Sequence, residues 1–199
     1  MSGIVGSINT RGSGLINLGS ASDGQTLTGT GVGLPVGFEA AAAAGWTEGT
    51  LTVTTSGTAV NYTSLPTGIQ EILVLFFDVS TSTGHNVYVQ IGDSGGLVTS
   101  GYLSAGSHII GSSDTSSVTA AFNIYRHAAA DEINGIMHLV LMDSSAHKWV
   151  ESHAGMGIDG TNTGYVGGGY LDLSNELDRL SIVVAAGAFN LGAVNIMYR

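Results

Sequence analysis

The sequence predicts an all-β protein: a jelly-roll-like β-sandwich preceded by an extended Gly-rich N-terminal arm. Three observations predict it. Beyond residue 50, apolar and polar residues alternate with period two, as in half-buried strands. About ten such stretches recur at roughly 8–12-residue spacing between turns rich in Gly, Ser and Asp, the spacing of a sandwich or jelly roll. No stretch of length carries the 3.6-residue apolar period of a helix.

Residues 1–39 are almost uncharged and dense in Gly, with Ile, Leu and Val at intervals. Such a segment cannot bury a core of its own. Disordered tails are charge-rich and poor in aliphatics, so this one reads as an anchor arm of extended strands that orders on a partner or across protomers. Residues 40–45 (AAAAAG) are too short for a stable helix and read as a linker. Residues 46–199 form the sandwich. In TLTVTT, 50–55, Leu51 and Val53 share one face; in TAVNYT, 58–63, Val60 and Tyr62 do. The turn 65–68 (LPTG) precedes the central stretch, 71–91. Its first run, 72–77 (ILVLFF), is apolar on both faces and should lie mid-sheet with both faces covered. After STSTGHN, Val87, Val89 and Ile91 alternate with Tyr88 and Gln90. Further strands are read at 97–103, 117–126, 134–142, 147–153, 176–186 and 193–198, with loops at 111–117 and 155–169.

Hydrophobic residues make up 43% of the chain and charged ones only 10%, so Ser, Thr, Gly and Asn must cover the surface. That suits a large assembly, in which surface is buried against neighbours. The net charge is −10, and the five basic residues are scattered. With no basic stripe, nucleic acid is not an expected partner. With no cysteine there is neither disulfide nor thiolate metal site. No 18-residue apolar run predicts membrane insertion. The N-terminus lacks a basic region followed by an apolar one, so no signal peptide is expected and release would follow lysis.

The motifs that suggest chemistry lack their partners. GDSGG, 92–96, spells the nucleophile signature of trypsin-like proteases, but only His85 precedes Ser94. The triad needs a His oriented by an Asp, so the motif reads as a turn in which Asp93 and Ser94 cap backbone amides. His147, Trp149, Glu151 and His153 alternate on one strand face, with the two histidines roughly 20 Å apart, too far to share a metal. His138, among apolar residues, reads as a core or interface histidine. DGTN, 159–162, lacks the remaining ligands of a Ca²⁺ loop. Asp172, Glu176 and Asp178 lie near Arg179 with nothing to fix a catalytic separation, and GTGVG, 29–33, lacks the context of a phosphate loop. No catalytic residue, cofactor or metal is assigned, and no enzyme is expected. Ligand contacts are expected in the end loops, from Asp114, Asp159, Asn162, Tyr165 and Tyr170, because sandwich domains bind sugars and receptors with loop aromatics and amides.

The N-terminus adds a resemblance. MSGIVGS, then RGSG, then SDGQTLTGTGVGLPVGFE resembles the opening segment of tailed-phage virion proteins of the tail-fibre and adhesin type, over about a fifth of the chain. Gly29 stands where that family often has Ser. The resemblance implies a virion location, with Ile4, Val5, Arg11, Gly12, Gly14, Asp23, Gly24, Gln25, Leu27 and Phe38 as anchoring residues. More loosely, 65–102 and 192–198 look like the distal β-sandwich domains of such proteins. That implies a homotrimer, other virion proteins as partners, and a host surface glycan or receptor as ligand. Two alternatives stay open at this point: a capsid decoration or head-fibre protein, and a free carbohydrate-binding module.

Overall fold

The computed structural model describes residues 25–29, 36–40, 45–126, 128–158 and 162–199; the first two stretches and Ser112 are described by their backbone. The chain divides into two compact units, Met1–Gly45 and Trp46–Arg199. In the first, β1 (Gln25–Gly29) and β2 (Val36–Ala40) pair antiparallel, with Leu27 opposite Phe38 and Gln25 opposite Ala40. Ala40 ends a strand, so the ladder runs into the alanine stretch.

The second unit is all-β, with no helix among the described residues. Its strands are β3 (Thr47–Glu48), β4 (Thr52–Val53), β5 (Ala59–Tyr62), β6 (Glu71–Thr81), β7 (Val87–Asp93), β8 (Gly96–Leu97) and β9 (Leu103–Ile110). There follow β10 (Ser112–Val118), β11 (Phe122–Ile124), β12 (Ile133–Asp143), β13 (Lys148–Gly157), β14 (Thr163–Asp172), β15 (Arg179–Val184) and β16 (Phe189–Tyr198). They form two antiparallel sheets packed as a sandwich. The larger runs β10-β9-β14-β13-β12-β6-β16-β3, with β4 also on β16; the smaller runs β11-β7-β15-β5, with β8 on β7.

The core lies between them. Ile72, Val74, Met137, Leu139, Trp149 and Ile196 of the larger sheet, all buried, belong to one cluster with Val89, Ile91, Leu180 and Ile182 of the smaller. Burying such side chains contributes about 1.5–3 kcal/mol each. Tyr102 packs edge-on against Phe122 at 4.9 Å, and its hydroxyl accepts from Ile91 N at 2.9 Å.

Several expectations change. The 72–77 run does lie mid-sheet, between β12 and β16, but only one of its faces is covered. Ile72, Val74 and Phe76 are buried; Leu73 and Leu75 are half-buried and Phe77 is 66% exposed. Among the described residues of the sandwich unit, no layer covers the second face. The following polar group, 82–86, carries the chain from one sheet to the other, because β7 belongs to the smaller sheet. Leu51 and Val53 point outward; Thr54 is the buried residue there, its hydroxyl donating to the Leu191 carbonyl at 2.7 Å.

The two expected loops are largely strands: 111–117 is mostly β10, and 155–169 holds the end of β13 and most of β14. Their Ser and Gly content is a packing feature. A Cβ at Gly167 would collide with the His153 ring, and one at Gly169 would lie 2.6 Å from the Leu103 carbonyl. Glycine in a strand often marks such close approach. His147 lies outside β13, in a turn at φ 47, so it does not share the strand face.

A bulge shapes β6. Asp78 adopts φ 49, and the pairing of β6 with β12 and with β16 shifts there. Asn134 holds it: its Oδ1 accepts from Asp78 N at 3.0 Å, and its Nδ2 donates to Asp78 Oδ1 at 2.9 Å. The extra residue changes the alternation, so Val79, Ser80 and Thr81 are all buried.

Candidate functional site

The strands bring loops 82–86, 125–132, 158–162 and 185–188 to one end of the sandwich and 94–102, 144–147 and 173–178 to the other. The five expected ligand residues do not converge on either. Asp159 lies outside the described residues, and Asn162 is exposed at φ 49 beside it. Asp114 is on β10, not in a loop; its Oδ2 accepts from the Tyr125 hydroxyl at 3.1 Å. That bond to a carboxylate raises the Tyr125 pKa. Tyr165 is on β14 and only 1% exposed, so it is unavailable to a ligand. Tyr170, five residues along the same strand, is on the opposite face, beneath the Lys148 ammonium at 5.2 Å. The anchoring candidates Ile4, Val5, Arg11, Gly12, Gly14, Asp23 and Gly24 lie outside the described residues; Gln25 and Leu27 are on β1 and Phe38 on β2.

Two buried polar groups were not read from the sequence. The first locks loop 125–132. The Arg126 guanidinium, 2% exposed, donates to the carbonyls of Asp131 at 2.6 Å and Ala129 at 3.1 Å, and to the Thr81 hydroxyl. Asp131 Oδ2 accepts from the Tyr165 hydroxyl at 2.5 Å and from Ala128 N at 3.0 Å. Burial pushes the Arg126 pKa down, against the pull of Tyr165 and Asp131. A buried cation that donates to three acceptors through its terminal nitrogens holds a loop in place. The signal was Arg126 closing an apolar alternating run, SVTAAFNIYR.

The second is Glu151 with His153 on the inner face of β13. Their side chains meet at 2.6 Å, Glu151 Oε1 to His153 Nδ1, and both residues are buried. Period-two spacing had placed them on one face with Trp149, and the structure confirms that. Alternation alone could not say that this face turns inward. Among the described residues, no group of three or more His, Asp or Glu is placed to hold a metal ion.

The protease-like motif is a turn. Asp93 Oδ1 accepts from Gly95 N at 2.8 Å, and its Oδ2 accepts from the Ser174 hydroxyl at 2.7 Å and Asn175 N at 3.0 Å. The bond from Ser174, then that from Gly95, lowers the Asp93 pKa. Ser94 is exposed in the turn, and β7 separates it from His85, roughly 23 Å of strand. Asp178 is engaged by Arg179 at 2.6 and 3.0 Å, and Asp172 by Lys148 at 3.0 Å.

The surface features are larger than these clusters. Cross-strand neighbours share a face, and the register defines four rows across β9-β14-β13-β12-β6 on the outer side of the larger sheet. They read Leu103–Tyr170–Val150–Val140–Glu71 and Ala105–Gly168–Ser152–His138–Leu73, then Ser107–Val166–Ala154–Ile136–Leu75 and Ile109–Gly164–Met156–Asn134. Apart from His138, 3.4 Å from Glu71, the one side chain in these rows that is an acid or a base near neutrality is Glu71, at a corner, where Arg199 engages it at 2.9 Å. An open hollow of about 680 Å³ overlaps the β9 edge of this face, lined by Leu103, Ala105 and Gly168 of the rows together with Tyr88, Ser104 and residues 117–120, none of them charged. The chain matches no family model, no curated protein and no solved structure.

Proposed function

We propose that this chain is a structural protein of a tailed-phage virion, of the tail-fibre or receptor-binding type. Residues 1–39 dock on the particle, and the β-sandwich projects as a homotrimer for attachment to the host. The observation that carries the reading is the order of three N-terminal pieces, MSGIVGS, RGSG and SDGQTLTGTGVGLPVGFE, ahead of an all-β unit. A surface with only 10% charged residues in the chain, and a broad uncharged sheet face, suit a protein that works inside an assembly. The work is adhesion without catalysis. Several weak sites held together by a trimer gain avidity through effective concentration.

The test is a phage whose copy of this chain lacks residues 1–45. The reading expects a folded 46–199 domain in the lysate and particles without it; normal incorporation overturns the anchor. Copy number then places the protein: a handful per particle belongs to a tail, many tens to a decorated head.

A further inference from the structure

We infer that the uncharged outer face of the larger sheet is the contact between copies of this chain. Four observations carry this. The face is apolar where solvent should meet it: Leu103, Ile109, Ile136, Met156 and Val166 are all exposed there. A single chain of this size rarely leaves such a patch contiguous unless something covers it. Its extent fits a subunit contact. At about 4.8 Å between strands and about 6.8 Å between residues on one face, β10 and the four rows span roughly 700 Å². A standard interface takes about 800 Å² from each partner.

Charge selects the occupant. The chain carries −10, so two copies repel over most of their surfaces. The four rows bring only Glu71, at a corner and already paired with Arg199, and the next row adds Asp172, paired with Lys148 at 3.0 Å, so identical copies meet there without unpaired like charges opposed. A basic partner would find no acidic patch on the face to complement. Relief adds to this. Gly164, Gly168 and Ala105 leave hollows between Leu103, Ile109 and Val166, so one face can interleave with another.

The inference goes beyond the virion reading. Self-association through this face by a chain that never enters a particle would leave the inference standing and overturn that reading.

The experiment is sedimentation of the full chain over a range of concentrations, with three substitutions. The wild type should sediment as an oligomer. Val166→Glu, which sets a charge in the middle of the face, should raise the concentration needed for association by about tenfold or more. Ala59→Glu, exposed on the smaller sheet, should leave it unchanged. The chain has no cysteine, so Ser152→Cys at the centre of the face gives a single thiol that a short bis-maleimide should couple between copies; Ser94→Cys, in a distant turn, should not couple. If Val166→Glu fails to fold, the two thiol variants decide alone: coupling at 152 but not at 94 supports the inference, and equal or absent coupling overturns it. A wild type that stays monomeric at every concentration overturns it too, including where it then binds a different protein through this face.

Discussion

The two faces of the larger sheet are built from alternate residues of the same strands, yet they obey different rules. On the inner face of β6, Ile72, Val74 and Phe76 are buried against the smaller sheet; on the outer face, Leu73, Leu75 and Phe77 are just as apolar and far less covered. The inner face of β13 even holds the buried pair of Glu151 and His153, whereas the outer face of the same strand carries Val150, Ala154 and Met156. Polarity is thus inverted locally: ionisable groups inside, apolar groups outside. A sandwich that had only to fold in water would put polar residues on its outer positions. The inner face is thus built for folding, and the outer face carries the apolar surface that the proposed contact between copies would cover.

Substitutions can break or sharpen that contrast. The largest effect is expected at the buried pair. Glu151→Ala leaves His153 without its partner in the core and should cost about 3–5 kcal/mol in urea unfolding. Replacing both residues by aliphatic ones should recover most of that loss; an equal or larger loss in the double variant would mean that the pair does more than satisfy itself. Next is Leu139→Ala on the inner face, expected to cost about 2–5 kcal/mol. An outer-face residue of the same strand, Ile136→Ala, should change monomer stability by about 0.5 kcal/mol or less. Equal costs at 136 and 139 would abolish the distinction. Asn134→Ala removes both bonds that hold the β6 bulge and should cost about 1–2 kcal/mol.

The smallest effect is a pH slope. Asp93 has a folded pKa below its ordinary value, chiefly through the bond from Ser174. Its contribution is therefore complete above the unfolded carboxylate range and is lost as pH falls through the lower, folded pKa. Stability should hold from neutrality to about pH 4 and decline below it. Asp93→Asn should make the decline shallower, read from denaturation midpoints across the acid range.

The fold was legible because period-two patterning survives in most strands: Val60 and Tyr62, and Val87, Val89 and Ile91, turn inward as their spacing says. What the pattern could not give was which neighbours each face meets. Leu73 and Ile72 look alike in sequence, and only the sheet's position separates them. Glycine misled at 164–169, where it reads as a loop but serves close packing of β14 against His153 and β9. Tyr165 misled for a related reason: placed in a loop it would be a ligand contact, whereas on β14 it is buried against Asp131. The protease-like turn was legible because the missing partners of Ser94 are themselves a feature of the sequence.

Methionine oxidation reads both faces in one experiment. Met137 is fully buried on the inner face and Met156 is 52% exposed on the outer face, one strand away. Peptide mass spectrometry after brief peroxide treatment gives the oxidation rate of each at high and low protein concentration. Met137 should stay protected throughout, while Met156 should be protected when the protein is concentrated and oxidise rapidly when it is diluted. A Met156 that oxidises equally fast at both concentrations would contradict the contact between copies.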